Sequence, residues 1–185
     1  MMNRIRNTLA ALAMLGTLAL AAPAAAQAET SFCGLDKMPA AKLAELHTLF
    51  GIDQPKEILF SRVDKILTEC AAKVDRATAA KPVFRGFVFG EALTFSVRGG
   101  LIAQGYSMDK FDAASAMRCN HELLTSDNAG SDETTALLNA AIKAAGADPE
   151  SLNKQQTIDF YTYAAGSAMR WREGQELELL AACKA

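Results

Sequence analysis

Apolar residues recur at three- and four-residue steps along most of the chain beyond position 38, the period of helices that each pack one face inward. Leu43, Leu46, Leu49 and Phe50 predict a short helix over Pro39–Phe50, and Gly51 is a suitable residue for its C-terminal cap. Asp53 and Pro55 then open a second helix. In it Leu59, Val63, Ile66, Cys70 and Val74 form one face, while Lys65, Glu69 and Lys73 ladder the other. Lys81-Pro82 breaks that helix.

The next stretch, Pro82 to Tyr106, has no polar face. At helical spacing Val83, Phe87, Val97 and Leu101 fall along one line and Phe84, Val88, Phe95 and Ile102 along the next, so the stretch reads as a core helix buried nearly all round. A membrane span is the wrong reading, because Arg85, Glu91 and Arg98 lie inside it and charges are expensive in hydrocarbon. The competing reading is a β-hairpin over 83–103. Its strands would be rich in β-branched and aromatic residues and would turn at Arg98-Gly99-Gly100.

Ser107 is placed to cap a fourth segment running through Met108, Phe111, Ala114 and Met117 to Leu124, where a polar loop from Thr125 to Gly130 follows. Ser131 opens a fifth segment, with Leu137, Leu138, Ala141 and Ile142, closed by Gly146. Asp148-Pro149-Glu150 has the features of a helix start: a capping carboxylate, Pro at the first position and a second acid in the first turn. The last helical region carries Ile158, Tyr161, Ala165 and Ala168, with Gly174 placed to bend it before Leu177, Leu180 and Cys183. These patterns predict an all-α bundle of five to seven helices around the 82–106 element.

The N-terminus changes the setting. Arg4 and Arg6 precede an apolar run from Leu9 to Ala22, then Pro23 and the small-residue sequence Ala26-Gln27-Ala28. That order predicts a signal peptide over 1–28, cleaved after Ala28, and a soluble mature domain over 29–185. Loss of Arg4 and Arg6 from 19 basic residues against 21 acidic ones moves the net charge from −2 to −4, which disfavours nucleic acid and anionic lipid surfaces.

All four cysteines, Cys33, Cys70, Cys119 and Cys183, lie beyond the leader. An even number in an oxidising compartment predicts two disulfides, and the spacings match no redox C-x-x-C, haem-attachment or zinc-finger pattern. Three connectivities are possible. A short turn between the first two helices places Cys33 and Cys70 each roughly 20 Å from it, which favours Cys33–Cys70 and leaves Cys119–Cys183.

Candidate chemistry is sparse. In Cys119-Asn120-His121-Glu122 a thiol stands near an imidazole, but residues two apart on a helix face away from each other, and a disulfide at Cys119 leaves no nucleophile. His47 reads as a partly exposed helix residue. Glu91 and Arg98 share a helix face about 10 Å apart along the axis, too far for a direct bond, so each needs a separate partner or a water-filled pocket. If both are buried without structural partners, the core element is also the site. Tyr161, Tyr163, Arg170, Trp171 and Arg172 combine the residue types favoured at recognition surfaces, or else pack with flanking salt bridges. Gly86 and Gly90 have the spacing that lets helices approach closely, whereas Gly99-Gly100 lacks the Lys and Ser/Thr of a phosphate loop.

The binding candidates are therefore Glu91, Arg98, Tyr161 and Trp171, and no motif calls for a metal or cofactor. The expected function is that of an exported, non-catalytic envelope protein binding a protein partner or a small ligand. A periplasmic hydrolase with a paired-carboxylate site and an acid-stress chaperone are the alternatives.

Overall fold

A computed structural model describes residues 30–50, 56–125 and 130–183. The leader, the Gly51, Asp53 and Pro55 signals and the centre of the 125–130 loop lie outside the described residues. Those described form eight α-helices and a 3-10 turn at Leu35–Lys37, with no strand among them. The helices are α1 (Ala40–Leu49), α2 (Lys56–Ala71), α3 (Arg76–Ala79), α4 (Pro82–Ala103), α5 (Met108–Ser115), α6 (Met117–Thr125), α7 (Asp132–Ala144) and α8 (Lys154–Glu176).

The 82–106 stretch is helix from Pro82 to Ala103, which excludes the hairpin over 83–103. Phe84, Phe87 and Val88 of its N-terminal half, with Phe95 just past the midpoint, pack against Leu43 and Leu46 of α1 and Ile66 and Cys70 of α2. Its C-terminal half gives Val97 and Leu101 to a second cluster with Phe111 of α5, Leu138 and Ile142 of α7, and Phe160 and Tyr163 of α8. One helix thus belongs to both parts of the core. Each fully buried phenylalanine contributes about 1.5–3 kcal/mol relative to exposure, which is why a helix without a polar face is stable in this position.

α4 and α8 lie antiparallel along their length. Gly90 abuts Arg170, Thr94 abuts Gly166, Arg98 bonds Tyr163, and Gln104 meets Gln156. Thr94 and Ser96 are buried on α4, and their hydroxyls donate back to the carbonyls of Gly90 and Leu93. Such local back-bonding lets polar side chains enter a core without distant partners.

The segmentation is finer than the apolar pattern indicates. The stretch from Met108 to Leu124 divides at Ala116, which adopts a left-handed conformation (φ 45°) and whose carbonyl accepts from the amides of Cys119 and Asn120. α3 is a single turn capped by the Asp75 carboxylate, which accepts from the Thr78 amide at 2.9 Å. The Asp148-Pro149-Glu150 signal does not start a helix. The Asp148 carbonyl accepts from the Ser151 amide and its side chain accepts from the Glu150 amide, which closes a turn instead. α8 starts at the reciprocal cap of Asn153 and Gln156, in which each side chain accepts from the other residue's amide. At the far end α8 stops at Glu176. The Gly174 carbonyl accepts from the amides of Leu179 and Leu180, and the chain folds back over the glycine.

Both favoured disulfides are present, Cys33–Cys70 and Cys119–Cys183. They close loops of 37 and 64 residues, each suggesting about 4 kcal/mol from the restriction of the unfolded chain. Non-reducing peptide mapping is expected to recover these two links. The double variant Cys33→Ala/Cys70→Ala should lose about 4 kcal/mol in urea denaturation. Recovery of a Cys33–Cys119 peptide would contradict this arrangement.

Candidate functional site

Glu91 and Arg98 are both engaged by structural partners, and not by each other. Glu91 is fully buried on α4, and its carboxylate is paired with the Nε of Arg170, itself only 2% exposed on α8. The second carboxylate oxygen accepts from the Ser31 hydroxyl and from the Cys33 amide at 3.2 Å. Arg170 also donates through Nη2 to the Thr30 carbonyl at 2.7 Å, and its guanidinium lies over the Phe95 ring at 5.5 Å. The buried charges therefore hold the N-terminal segment 30–33 against the α4–α8 pair. Lys73 reinforces that position by donating to the Cys33 carbonyl at 2.6 Å, and Phe32 meets the Phe87 ring edge-on.

Arg98 forms a second network two turns along α4. Its Nη1 donates to Asp112 Oδ2 at 2.7 Å and to the Tyr163 hydroxyl at 2.9 Å, and Nη2 pairs with Asp109. The Tyr163 hydroxyl in turn donates to Asp112 Oδ1 at 2.6 Å. Burial works against the charge of Arg98, but Tyr163 and Asp112 outweigh it and hold the guanidinium pKa above its ordinary range. This network fastens α5 to the α4–α8 pair.

The remaining sequence candidates are dispersed. Trp171 is half-buried between Arg118 and Arg170, with guanidinium-to-ring distances of 5.6 and 5.1 Å. Arg118 also donates to the Ala182 carbonyl next to the Cys119–Cys183 bridge, so this group pins the C-terminal segment. Tyr161 is exposed on α8, ten residues and about 15 Å of helix from Trp171. Cys119 is in a disulfide, which removes the thiol that a cysteine site beside His121 would need. His47 Nε2 is 3.1 Å from Oδ1 of the buried Asp159, which also accepts from Gln155 at 2.8 Å. That arrangement ties the end of α1 to α8.

A concavity that the sequence reading missed lies between α1 and α2. It is an open groove of about 670 Å³. Leu46 and Ile66 line it at the core side, with Leu49, Met38 and Ile58 as apolar walls. Lys42 and Glu45 of α1 and Arg62, Lys65 and Glu69 of α2 supply its charged rim. Lys42 donates to both oxygens of Glu45 at 3.0 and 2.9 Å, and this bond and charge, joined by the charge of Arg62, hold the Glu45 carboxyl below its ordinary range. The available signal was the run Ile58-Leu59-Phe60. The inward stripe of α2 needs only Leu59, yet Ile58 and Phe60 are 49% and 50% exposed on either side of it.

No family model, curated protein or solved structure matches this chain. Its chemistry therefore rests on its own side chains. The buried carboxylates of Glu91 and Asp159 and the partly buried one of Asp112 each face a basic group supplied by another element, and buried Glu173 pairs with its neighbour Arg172. Among the described residues no helix is long and apolar enough to cross a membrane.

Proposed function

We propose that this chain is an exported binding protein and that the α1–α2 groove is its small-ligand site. Two disulfides support export, since such bridges persist in oxidising compartments, and so does the charged, apolar and small-residue order of positions 4–28. The observation that carries the binding reading is the groove itself. Its volume of about 670 Å³ lies within the range of small-molecule sites, and its apolar floor meets a rim of placed charges. The central charges Glu91 and Arg98 belong to the scaffold in this reading, because all their partners are structural. A carboxylate hydrolase has less support, since the buried acids are each hydrogen-bonded to a basic group rather than paired with one another. The acid-stress chaperone draws on composition alone.

Nile red, a neutral apolar dye, is expected to bind the intact protein saturably with increased emission. Ile58→Asp, which places a charge on the groove wall, should weaken binding about tenfold. Phe60→Asp, equally exposed but outside the groove, should leave it unchanged. Absence of saturable binding, or equal loss in both variants, would overturn the groove reading.

A further inference from the structure

The charges of the groove rim are unevenly matched. Glu45 is engaged on both oxygens by Lys42, and Glu69 stands 4.0 Å from Lys65 on the next turn of its own helix. Arg62 is within the field of Glu45, to which it adds a smaller attraction than Lys42, but no direct hydrogen bond or ion pair holds its guanidinium among the described residues. It is exposed on α2, one turn from Ile58 and one turn from Ile66, so its guanidinium stands beside the apolar lining rather than away from it. Guanidinium is the side-chain cation best suited to a carboxylate, because its planar fork matches two oxygens at once and it is less strongly hydrated than an ammonium.

We infer that the ligand class of the groove is an anionic amphiphile, a linear alkyl chain lying on Leu46, Leu49, Ile58 and Ile66 with its carboxylate bound by Arg62. The inference rests on the groove being a ligand site, as proposed above. Charge complementarity selects the head group: three cations face two anions on the rim, and the two anions are matched by Lys42 and Lys65. A cationic head would meet Arg62 and gain nothing from acids already paired. A neutral head would bury the chain equally well but gain no charge pairing with the guanidinium.

Decanoate, decanol and decyltrimethylammonium, all below their micellar concentrations, separate these cases by displacement of Nile red from the full-length protein. Decanoate is expected to bind about tenfold more tightly than decanol and decyltrimethylammonium more weakly than either. Arg62→Gln should bring decanoate to the affinity of decanol without changing decanol itself, and Arg62→Lys should retain part of the preference. Raising ionic strength should weaken decanoate alone, because an exposed charge pair is screened. Equal binding of decanoate and decanol by the wild type, or unchanged decanoate affinity in Arg62→Gln, would overturn the head-group assignment while leaving the groove reading intact. Failure of Nile red and all three alkyl probes to bind saturably would sink the groove reading and this inference with it.

Discussion

Glu91→Ala is expected to destabilise the protein by about 3–5 kcal/mol, a large share of a typical domain's total. The loss arises less from the missing attraction than from what remains. Arg170 would keep its charge at 2% exposure and lose the Glu91 carboxylate that faces its Nε. The Ser31 hydroxyl and the Cys33 amide would lose their acceptor in the same step. Replacing both charges, as in Glu91→Leu/Arg170→Met, should cost markedly less than either single change, because no unpaired charge is left in the core. Urea denaturation of the two single variants and the double variant closes the cycle. A Glu91→Ala loss under about 1 kcal/mol, or additivity across the cycle, would show that the pair does not hold α4, α8 and residues 30–33 together.

The same interactions give the charges of the central helix structural partners. A charged residue on a helix without a polar face must find its counter-charge on another element. Glu91 finds it 79 residues away on α8, and Arg98 finds it on α5. Each charge thus joins segments that the apolar pattern alone leaves unaligned. The groove proposed as the ligand site lies elsewhere, where α1 and α2 meet over the Leu46–Ile66 floor.

Legibility from sequence follows the range of the interaction responsible. The burial of α4 was readable because phenylalanine, valine and leucine occupy every face of it, and the inner stripe of α2 because Leu59, Val63, Ile66 and Cys70 repeat at helical spacing. The disulfide pairing was readable from the reach of two helices joined by a short turn. Where two local signals compete, pattern alone does not decide: Asp148-Pro149 and Asn153 both fit a helix start, and the turn closed at Asp148 assigns the cap to Asn153. Ala116 carries no mark of its left-handed conformation in its own side chain; the helices on either side of it pack on different partners, α5 on α7 and α6 on α8. The partner of Glu91 was illegible for a similar reason. Arg170 stood among the aromatic and cationic residues of α8, and only the antiparallel alignment of α4 with α8 brings the two charges into contact.

That alignment yields the second large effect, at the glycines of α4. Gly90→Ala is expected to destabilise although alanine favours a helix over glycine by about 1 kcal/mol. A Cβ at Gly90 would lie 2.7 Å from the Arg170 backbone nitrogen and 3.0 Å from the Gly166 carbonyl oxygen. Backbone atoms of a packed helix cannot rotate aside, so α8 must shift, at a cost of about 1–3 kcal/mol for overpacking and more if the Glu91–Arg170 pair stretches with it. Gly86→Ala is the internal control. Its Cβ would lie 3.3 Å from the side chain of Glu173, which can move, so the propensity gain offsets the contact and stability should change by less than about 0.5 kcal/mol. Gly166→Ala meets the same close approach from the other side, with a Cβ 2.7 Å from that of Leu93. Once either alanine has separated the helices, the second finds room already made, so the double variant Gly90→Ala/Gly166→Ala should lose less than the sum of the single losses. Thermal or urea unfolding of these four variants tests the geometry directly. Equal effects of Gly86→Ala and Gly90→Ala would mean that the two helices do not meet at Gly90 and Gly166.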